Sequence, residues 1–264
     1  MYSDTGIGKL KVNKIQTHSV KWDYSKLAGS YDKRADYSHK AVDNLLSKIN
    51  FITWKNPVAD IGAGTGKLTK VLLQRGLTVK AIEPNTEMRR YGIANTKGKC
   101  VEWLIGTGEN TTLAPKSVSA VFFGSSFNVV NRKRALVETA RILEPNGWFT
   151  CMWNHRNIRD ELQASVEEIL KKSIVGYEYG SRREDQSLII DSSGLFHNIG
   201  KIEQQFVYEV SVEDYIDAWR SHATLQRQAG DKFEKIVSEI ADRLSSMERM
   251  NVPYTTRIWF AQLK

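Results

Sequence analysis

The stretch Val58-Ala59-Asp60-Ile61-Gly62-Ala63-Gly64-Thr65-Gly66 limits this chain more than any other, because three glycines at alternate positions follow a short apolar run opened by Pro57. Leu68 to Leu73 then has helical apolar spacing, so the segment reads as strand, glycine turn, helix. Glycine belongs where the backbone takes positive φ or must let a ligand approach with no Cβ in the way. The helix start behind it offers unpaired N–H groups. The next apolar run, Leu77 to Ile82, ends in Glu83, roughly 20 residues past the first glycine, where nucleoside-binding βαβ units place a ribose-binding carboxylate.

Spacing separates the loops that look alike here. A dinucleotide fingerprint needs its third glycine at position 67, which is Lys67. A phosphate-binding G-x-x-x-x-G-K-[ST] loop needs glycine at Ile61 and a hydroxyl at Leu68, and has neither. What remains is D-x-G-x-G-x-G with a downstream acid, which resembles the first two motifs of class I S-adenosylmethionine-dependent methyltransferases.

The rest of the chain alternates strands and helices. Ser38 is placed to cap a helix with Ala41, Val42, Leu45, Leu46 and Ile49 on one face; Asn85 caps another that carries Met88, Tyr91 and Ile93. Strands are expected at 101–105, 118–123 and 148–153, with a helix over 131–143 between the last two. Such alternation predicts an α/β, Rossmann-like sheet, mostly parallel, with ligands at the carboxyl ends of its strands. Beyond Trp153 the pattern changes: a helix near 160–172, an aromatic and arginine-rich loop, a strand over 202–210, a capping box at Ser211 and Asp214, an apolar-faced helix to Met247, and a last strand at 257–263. With the family's usual antiparallel final strand, the sheet would have seven. Residues 1–20 read as a flexible arm and 21–264 as a single domain, its cofactor core about 38–154 and a helical cap drawn from about 155–200 and 211–250.

The resemblance runs over residues 31–156. It implies S-adenosylmethionine as cofactor, with Tyr31 and Arg34 over its methionine end, Asp60, Gly62, Ala63 and Gly64 in the cradle, Glu83 on the ribose, and Pro84 and Met88 beside it. Gly108 and Glu109 would meet the adenine, although Gly108 stands where the family usually has alanine and Thr107 where it commonly has aspartate. Ser125 completes the cofactor set. The substrate side comprises Ser126, Asn128, Asn154, Tyr177 and Trp219, with Phe196 and Tyr215 among further aromatics of the cap. Together with Trp153-Asn154-His155-Arg156 and the terminal Val252-Pro253-Tyr254-Thr255-Thr256-Arg257, the pattern resembles the small-molecule branch called methyltransferase type 11.

Methyl transfer needs alignment of a nucleophile and, where that nucleophile carries a proton, a base. His155 is placed for that role, with His222 as the alternative. No carboxylates gather near the ends of strands four and five, so no metal is expected. Ser125-Ser126-Phe127-Asn128 stands where base-methylating enzymes carry N/D-P-P-Y/F.

The expected activity is methylation of an O, N or C atom of a small organic acceptor, with specialised metabolism as its setting. An RNA or protein methyltransferase, or a non-catalytic S-adenosylmethionine-binding protein, stays open. The formal net charge of +8 permits an anionic partner, but basic residues fall in scattered pairs such as Arg89-Arg90, Lys171-Lys172 and Arg182-Arg183, which read as solvated surface rather than a nucleic-acid footprint. No apolar stretch is long enough to span a membrane. Cys100 and Cys151 lie in strand-like runs and are expected as buried thiols of a cytoplasmic protein.

Overall fold

The computed structural model describes residues 28–264. The expected arm at 1–20 and the aromatic segment up to residue 27 lie outside the described residues. Among the described residues seven strands form one sheet: β1 (Val58–Ile61), β2 (Val79–Ile82), β3 (Val101–Leu104), β4 (Val118–Gly124), β5 (Leu143–Arg156), β6 (Phe196–Ser211) and β7 (Arg249–Leu263), in the spatial order β3-β2-β1-β4-β5-β7-β6. The first five run parallel, and β7 is antiparallel to both of its neighbours. The order reverses between β1 and β4, so the turns after these two strands flank a crevice at the carboxyl edge.

The helices are α1 (Ala28–Tyr31), α2 (His39–Lys48), α3 (Lys67–Leu73), α4 (Thr86–Asn95), α5 (Arg132–Ile142), α6 (Glu161–Ser173), α7 (Ser187–Asp191), α8 (Val212–Arg220), α9 (Ala223–Ala229) and α10 (Phe233–Leu244). Ser38, Asn85 and Ser211 each accept a backbone N–H from the first turn behind them, from Ala41, Met88 and Asp214 respectively. On one sheet face Leu45, Leu46, Leu68 and Leu72 of α2 and α3 pack with Phe122; on the other Leu136 of α5 and Ile190 of α7 pack with Val121 and Phe123. The alternation along β4 places neighbouring side chains on opposite faces, so a strand covered on both sides is apolar throughout.

A third core lies beyond the carboxyl edge. β5 pairs with β7 only from Trp148 to Arg156, whereas the β6–β7 ribbon continues to Ser211 opposite Arg249. That overhang carries Val210, Met250 and Val252 into a core with Val166 and Leu170 of α6, Ile216 and Trp219 of α8, and Ile236, Val237 and Ile240 of α10. These helices form the roof.

Several expectations need correction. β6 begins at Phe196 rather than 202, and β7 at Arg249 rather than 257. Pro253 hides the early start of β7, since proline normally interrupts a strand. Its carbonyl accepts the N–H of Asn157, just past the end of β5, so the edge on which its own N–H is missing has no strand to serve. Phe196 belongs to the sheet core with Phe149, and not to the cap. Cys151 is buried, but Cys100 is exposed. No helix among the described residues is long and apolar enough to cross a membrane.

Candidate functional site

The turn after β1 is built on backbone conformation. Gly62, Gly64 and Gly66 have φ of 68°, 58° and 83°. A Cβ on Gly62 would collide with Ser126, so that glycine serves close packing between the turns after β1 and β4. A Cβ on Gly64 would meet only Tyr31, at 4.0 Å, so that glycine faces open space. The Gly64 N–H donates to Glu83 Oε2 at 2.9 Å and the Asn85 N–H to Oε1 at 2.8 Å. Glu83 therefore ties the first glycine turn to the end of β2. It is 7 % exposed, and burial raises its pKa against the lowering effect of those two N–H groups. Asp60, fully buried, accepts the Thr69 hydroxyl at 2.6 Å and leaves Oδ1 without a partner. Burial pushes its pKa up to about 7.

Residues 31–37 strap this floor to the roof. Thr65 Oγ1 donates to Asp32 at 3.1 Å, and Asn154 Nδ2 donates to the carbonyls of Ala35 and Asp36 at 3.2 and 2.9 Å. Toward the roof, Lys33 pairs with Asp214 at 2.8 Å, while Arg34 donates to Ser221 Oγ and O at 2.8 and 2.9 Å. The Arg34 guanidinium also lies 4.5 Å from the Tyr31 ring centre. Between strap, sheet edge and roof is a cavity whose floor includes Asp60, Gly62, Ala63 and Ser125 and whose roof includes Tyr179, Arg182, Tyr215 and Trp219.

Both candidate bases line this cavity. His155 is 6 % exposed with Nε2 unpartnered, and burial, reinforced by Arg183, Arg257 and Arg182, pushes its pKa down to about 3. His222 accepts the Leu225 N–H on Nδ1 at 3.1 Å, and burial with the same kind of positive surroundings holds it well below the usual imidazole range. Both rings are neutral at pH 7. Both are also weak proton acceptors, because proton affinity falls with pKa.

Comparison with known proteins bears on the sheet and its glycine turn. Residues 59–151 match a family described as a methyltransferase domain. An uncharacterised methyltransferase of Mycobacterium tuberculosis is 36 % identical over 140 residues, which is 52 % of this chain and 54 % of that protein. Residues 59–151 are thus similar to a methyltransferase domain, and the sheet order is that of the class I S-adenosylmethionine-dependent kind. It spans about half the length of the mycobacterial relatives it matches. Two solved structures share the fold of the methyltransferase domain. One is a putative type II methyltransferase from Anaeromyxobacter dehalogenans, with TM-score 0.56 at 15 % identity, covering 88 % of this chain and 97 % of that one. The other is Haemonchus contortus phosphoethanolamine N-methyltransferase 2 in complex with phosphomonomethylethanolamine and S-adenosylhomocysteine, with TM-score 0.51 at 14 % identity, covering 89 % and 56 %.

The residues present fit S-adenosylmethionine, the cofactor that the match to a methyltransferase domain implies. The open face of Gly64 leaves room for a nucleoside, the orphaned Asp60 Oδ1 points to a missing donor, and each Glu83 oxygen keeps a second lone pair for a ribose hydroxyl.

Not every residue named from the sequence is in the cavity wall. Tyr31, Arg34, Asp60, Gly62, Ala63, Ser125, Asn128, Asn154 and Trp219 are, together with both histidines. Asn128 accepts the Trp153 indole N–H at 2.9 Å, and the Asn154 amide is spent on the strap and on Thr256, so both hold the wall in place. Ser126 is not there: its hydroxyl donates to the Ile61 carbonyl beneath Gly62. Tyr177 stands behind the wall, edge-on to Tyr179 at 5.3 Å. Around the β2 end, Pro84 is exposed and Met88 buried. Gly108 is demanded by Val130, which a Cβ would approach to 2.8 Å, and Glu109 accepts the Asn131 N–H at 2.6 Å.

Sequence reasoning missed Arg156, Arg182 and Arg183, all of which line the cavity. Arg182 and Arg183 are not the solvated surface pair they were expected to be. The available signal was their position in an aromatic-rich loop between two tyrosines and a core segment.

Proposed function

We propose that this chain transfers a methyl group to an O, N or C atom of a small organic acceptor enclosed between the sheet edge and the roof. One observation carries the reading: a single cavity is walled jointly by the glycine-turn residues Asp60, Gly62 and Ala63 and by the roof residues Tyr179, Tyr215 and Trp219. When bound, the cofactor supplies an activated methyl on a sulfonium. The chain's own contribution is to orient the acceptor and exclude water. Asp60 and Tyr37, the latter 2.8 Å from Ser125 Oγ, set the polar floor; Tyr179 and Trp219 supply apolar cover.

The weak basicity of His155 and His222 favours a nucleophile that reacts without giving a proton to the protein. An enclosed, aromatic-walled site suits a small molecule better than folded RNA or protein. We further propose a cytoplasmic location, supported by the exposed free thiol of Cys100. The test is mass-spectrometric detection of co-purified S-adenosylmethionine or S-adenosylhomocysteine, followed by an acceptor screen that follows S-adenosylhomocysteine release. Turnover on a small molecule is expected. Methylation of bulk RNA at physiological salt, with no small acceptor found, would overturn the reading.

A further inference from the structure

The cavity holds charge that the methyltransferase reading does not use. Its charged lining consists of Arg34, Lys67, Arg156, Arg182, Arg183 and one acid, Asp60, which lies on the floor. Lys67 is satisfied by Asp36 at 2.8 Å, and Arg34 by Ser221. Arg156 lies over the Trp219 ring at 4.4 Å and donates from Nη1 to Gln163 Oε1 at 3.2 Å. Its Nη2 is 3.7 Å from Glu167 and makes no hydrogen bond. Glu167 also accepts the Tyr179 hydroxyl.

Arg182 and Arg183 have no carboxylate partner among the described residues. Arg183 lies over the Tyr179 ring at 3.8 Å and makes no ion pair. Arg182 has one hydrogen-bonding neighbour there, His222 Nε2, 3.2 Å from its Nη2. That contact is unsatisfied chemically. Because His222 Nδ1 accepts the Leu225 N–H, a neutral ring carries its proton on Nε2. An arginine has donors alone, so two donors face each other with no acceptor between them. The buried Nε2 of His155 also lacks a partner at the same cavity.

Like charges collected in a low-dielectric recess are unfavourable unless a counter-charge arrives. The strain is visible in Arg182, which burial, with help from Arg34, Arg156 and Arg183, pushes down to about 10. The cofactor does not relieve it. Its one carboxylate comes with an ammonium and a sulfonium, so a loaded site is more positive than an empty one.

We propose that the acceptor is a small organic anion whose carboxylate or phosphate group is held by Arg182 and Arg183, with Arg156 and the His222 Nε2–H completing the donor set. This identifies the substrate class of the same site and rests on the methyltransferase reading. Guanidinium forks match carboxylate and phosphate oxygens bidentately. Tyr179 and Trp219, stacked under Arg183 and Arg156, hold two of the forks in place, so less freedom is lost on binding.

The experiment loads the full chain with saturating S-adenosylhomocysteine and titrates succinate and, separately, inorganic phosphate by calorimetry. At least one anion should bind the loaded wild type. Arg182→Gln and Arg183→Gln should each weaken that binding at least tenfold while S-adenosylhomocysteine affinity changes less than threefold. Succinate binding alone assigns a carboxylate acceptor, phosphate binding alone a phosphate ester, and both support the proposal. Absence of anion binding to the loaded wild type overturns it, as does equal affinity in wild type and variants. Failure of S-adenosylhomocysteine to bind the folded wild type overturns the underlying reading as well, and is seen before any anion is added. If a glutamine variant does not fold, Arg182→Lys and Arg183→Lys replace it. They keep the charge and lose the fork, and an anion affinity unchanged in both defeats the proposal.

Discussion

The floor and the roof of the cavity solve recognition by different physics. The floor rests on backbone: Gly62 lines the cavity, and behind it Gly64 and Gly66, outside the cavity wall, also take positive φ, with Glu83 holding the N–H groups of Gly64 and Asn85. Its parts lie within about one βαβ unit, so their spacing is a motif. The roof side works through the charge of Arg156, Arg182 and Arg183, joined by Arg34 of the strap and the neutral ring of His222, residues far apart along the chain that meet because the β6–β7 overhang carries α6 and α8 to α10 across the sheet edge. On the proposed reading the floor faces the cofactor and the roof the acceptor.

Variants that separate the two regions test the contrast, and the largest effect belongs at the floor. Gly64→Val should weaken S-adenosylhomocysteine binding a hundredfold or more, about 3 kcal/mol, because the new side chain enters the open cradle. The fold should survive, since nothing but Tyr31 lies within reach of the added Cβ and the left-handed φ costs about 1–2 kcal/mol. Normal binding by calorimetry would mean that the turn is not the cradle.

Asp60 comes next. Its folded pKa of about 7 lies above the ordinary 3.8, so between these values the folded chain holds a proton that the unfolded chain has released. That contribution to stability is fully present below about pH 4 and is lost as pH rises through 7. Between pH 5 and 7 the loss amounts to about 2 kcal/mol. Asp60→Asn keeps the shape and removes the titration, so denaturant melts of wild type and variant should converge in slope once this window is passed. Parallel pH profiles across it would show that Asp60 is ionised throughout.

Glu83→Ala should weaken S-adenosylhomocysteine about tenfold or more, on the order of 1.4 kcal/mol. Part of that loss comes through the freed Gly64 N–H, so the turn itself should exchange amide hydrogen faster. An unchanged affinity would remove Glu83 from the floor. The smallest effect is expected at the roof edge: with so low a proton affinity, His155→Gln should leave kcat within threefold at pH 7. A drop of a hundredfold would restore His155 as the base and make proton transfer, rather than charge pairing, the roof's task.

The sequence was most legible where one short stretch contains both cause and effect. Ser38, Asn85 and Ser211 cap helices because their side chains reach an N–H three residues on, and that relation is local. The parallel order of β1 to β5 and the antiparallel β7 follow from periodicity and the family pattern. Phe196 was misplaced because an aromatic in a strand looks the same whether it packs under the sheet or over a pocket. Ser126 was misplaced because it lies at a strand end, where the Ile61 carbonyl, unseen in sequence, takes its hydroxyl. Arg182 and Arg183 were read as surface because an arginine pair carries no mark of the recess that closes over it.

The paired rung at Ser211 and Arg249 has a further meaning. Val212 donates its N–H to the Glu248 carbonyl at 2.9 Å, so the chain departs for the roof and returns from it at adjacent points of one ribbon. Residues 212–248 are thus a cassette with both ends at a single socket. Any replacement must still fill the core that Ile216, Trp219, Ile236, Val237 and Ile240 share with Val166, Leu170, Met250 and Val252, and must meet Lys33 and Arg34 of the strap. The cassette's attachment to the sheet is therefore one rung, and its position over the sheet edge is set by side-chain packing.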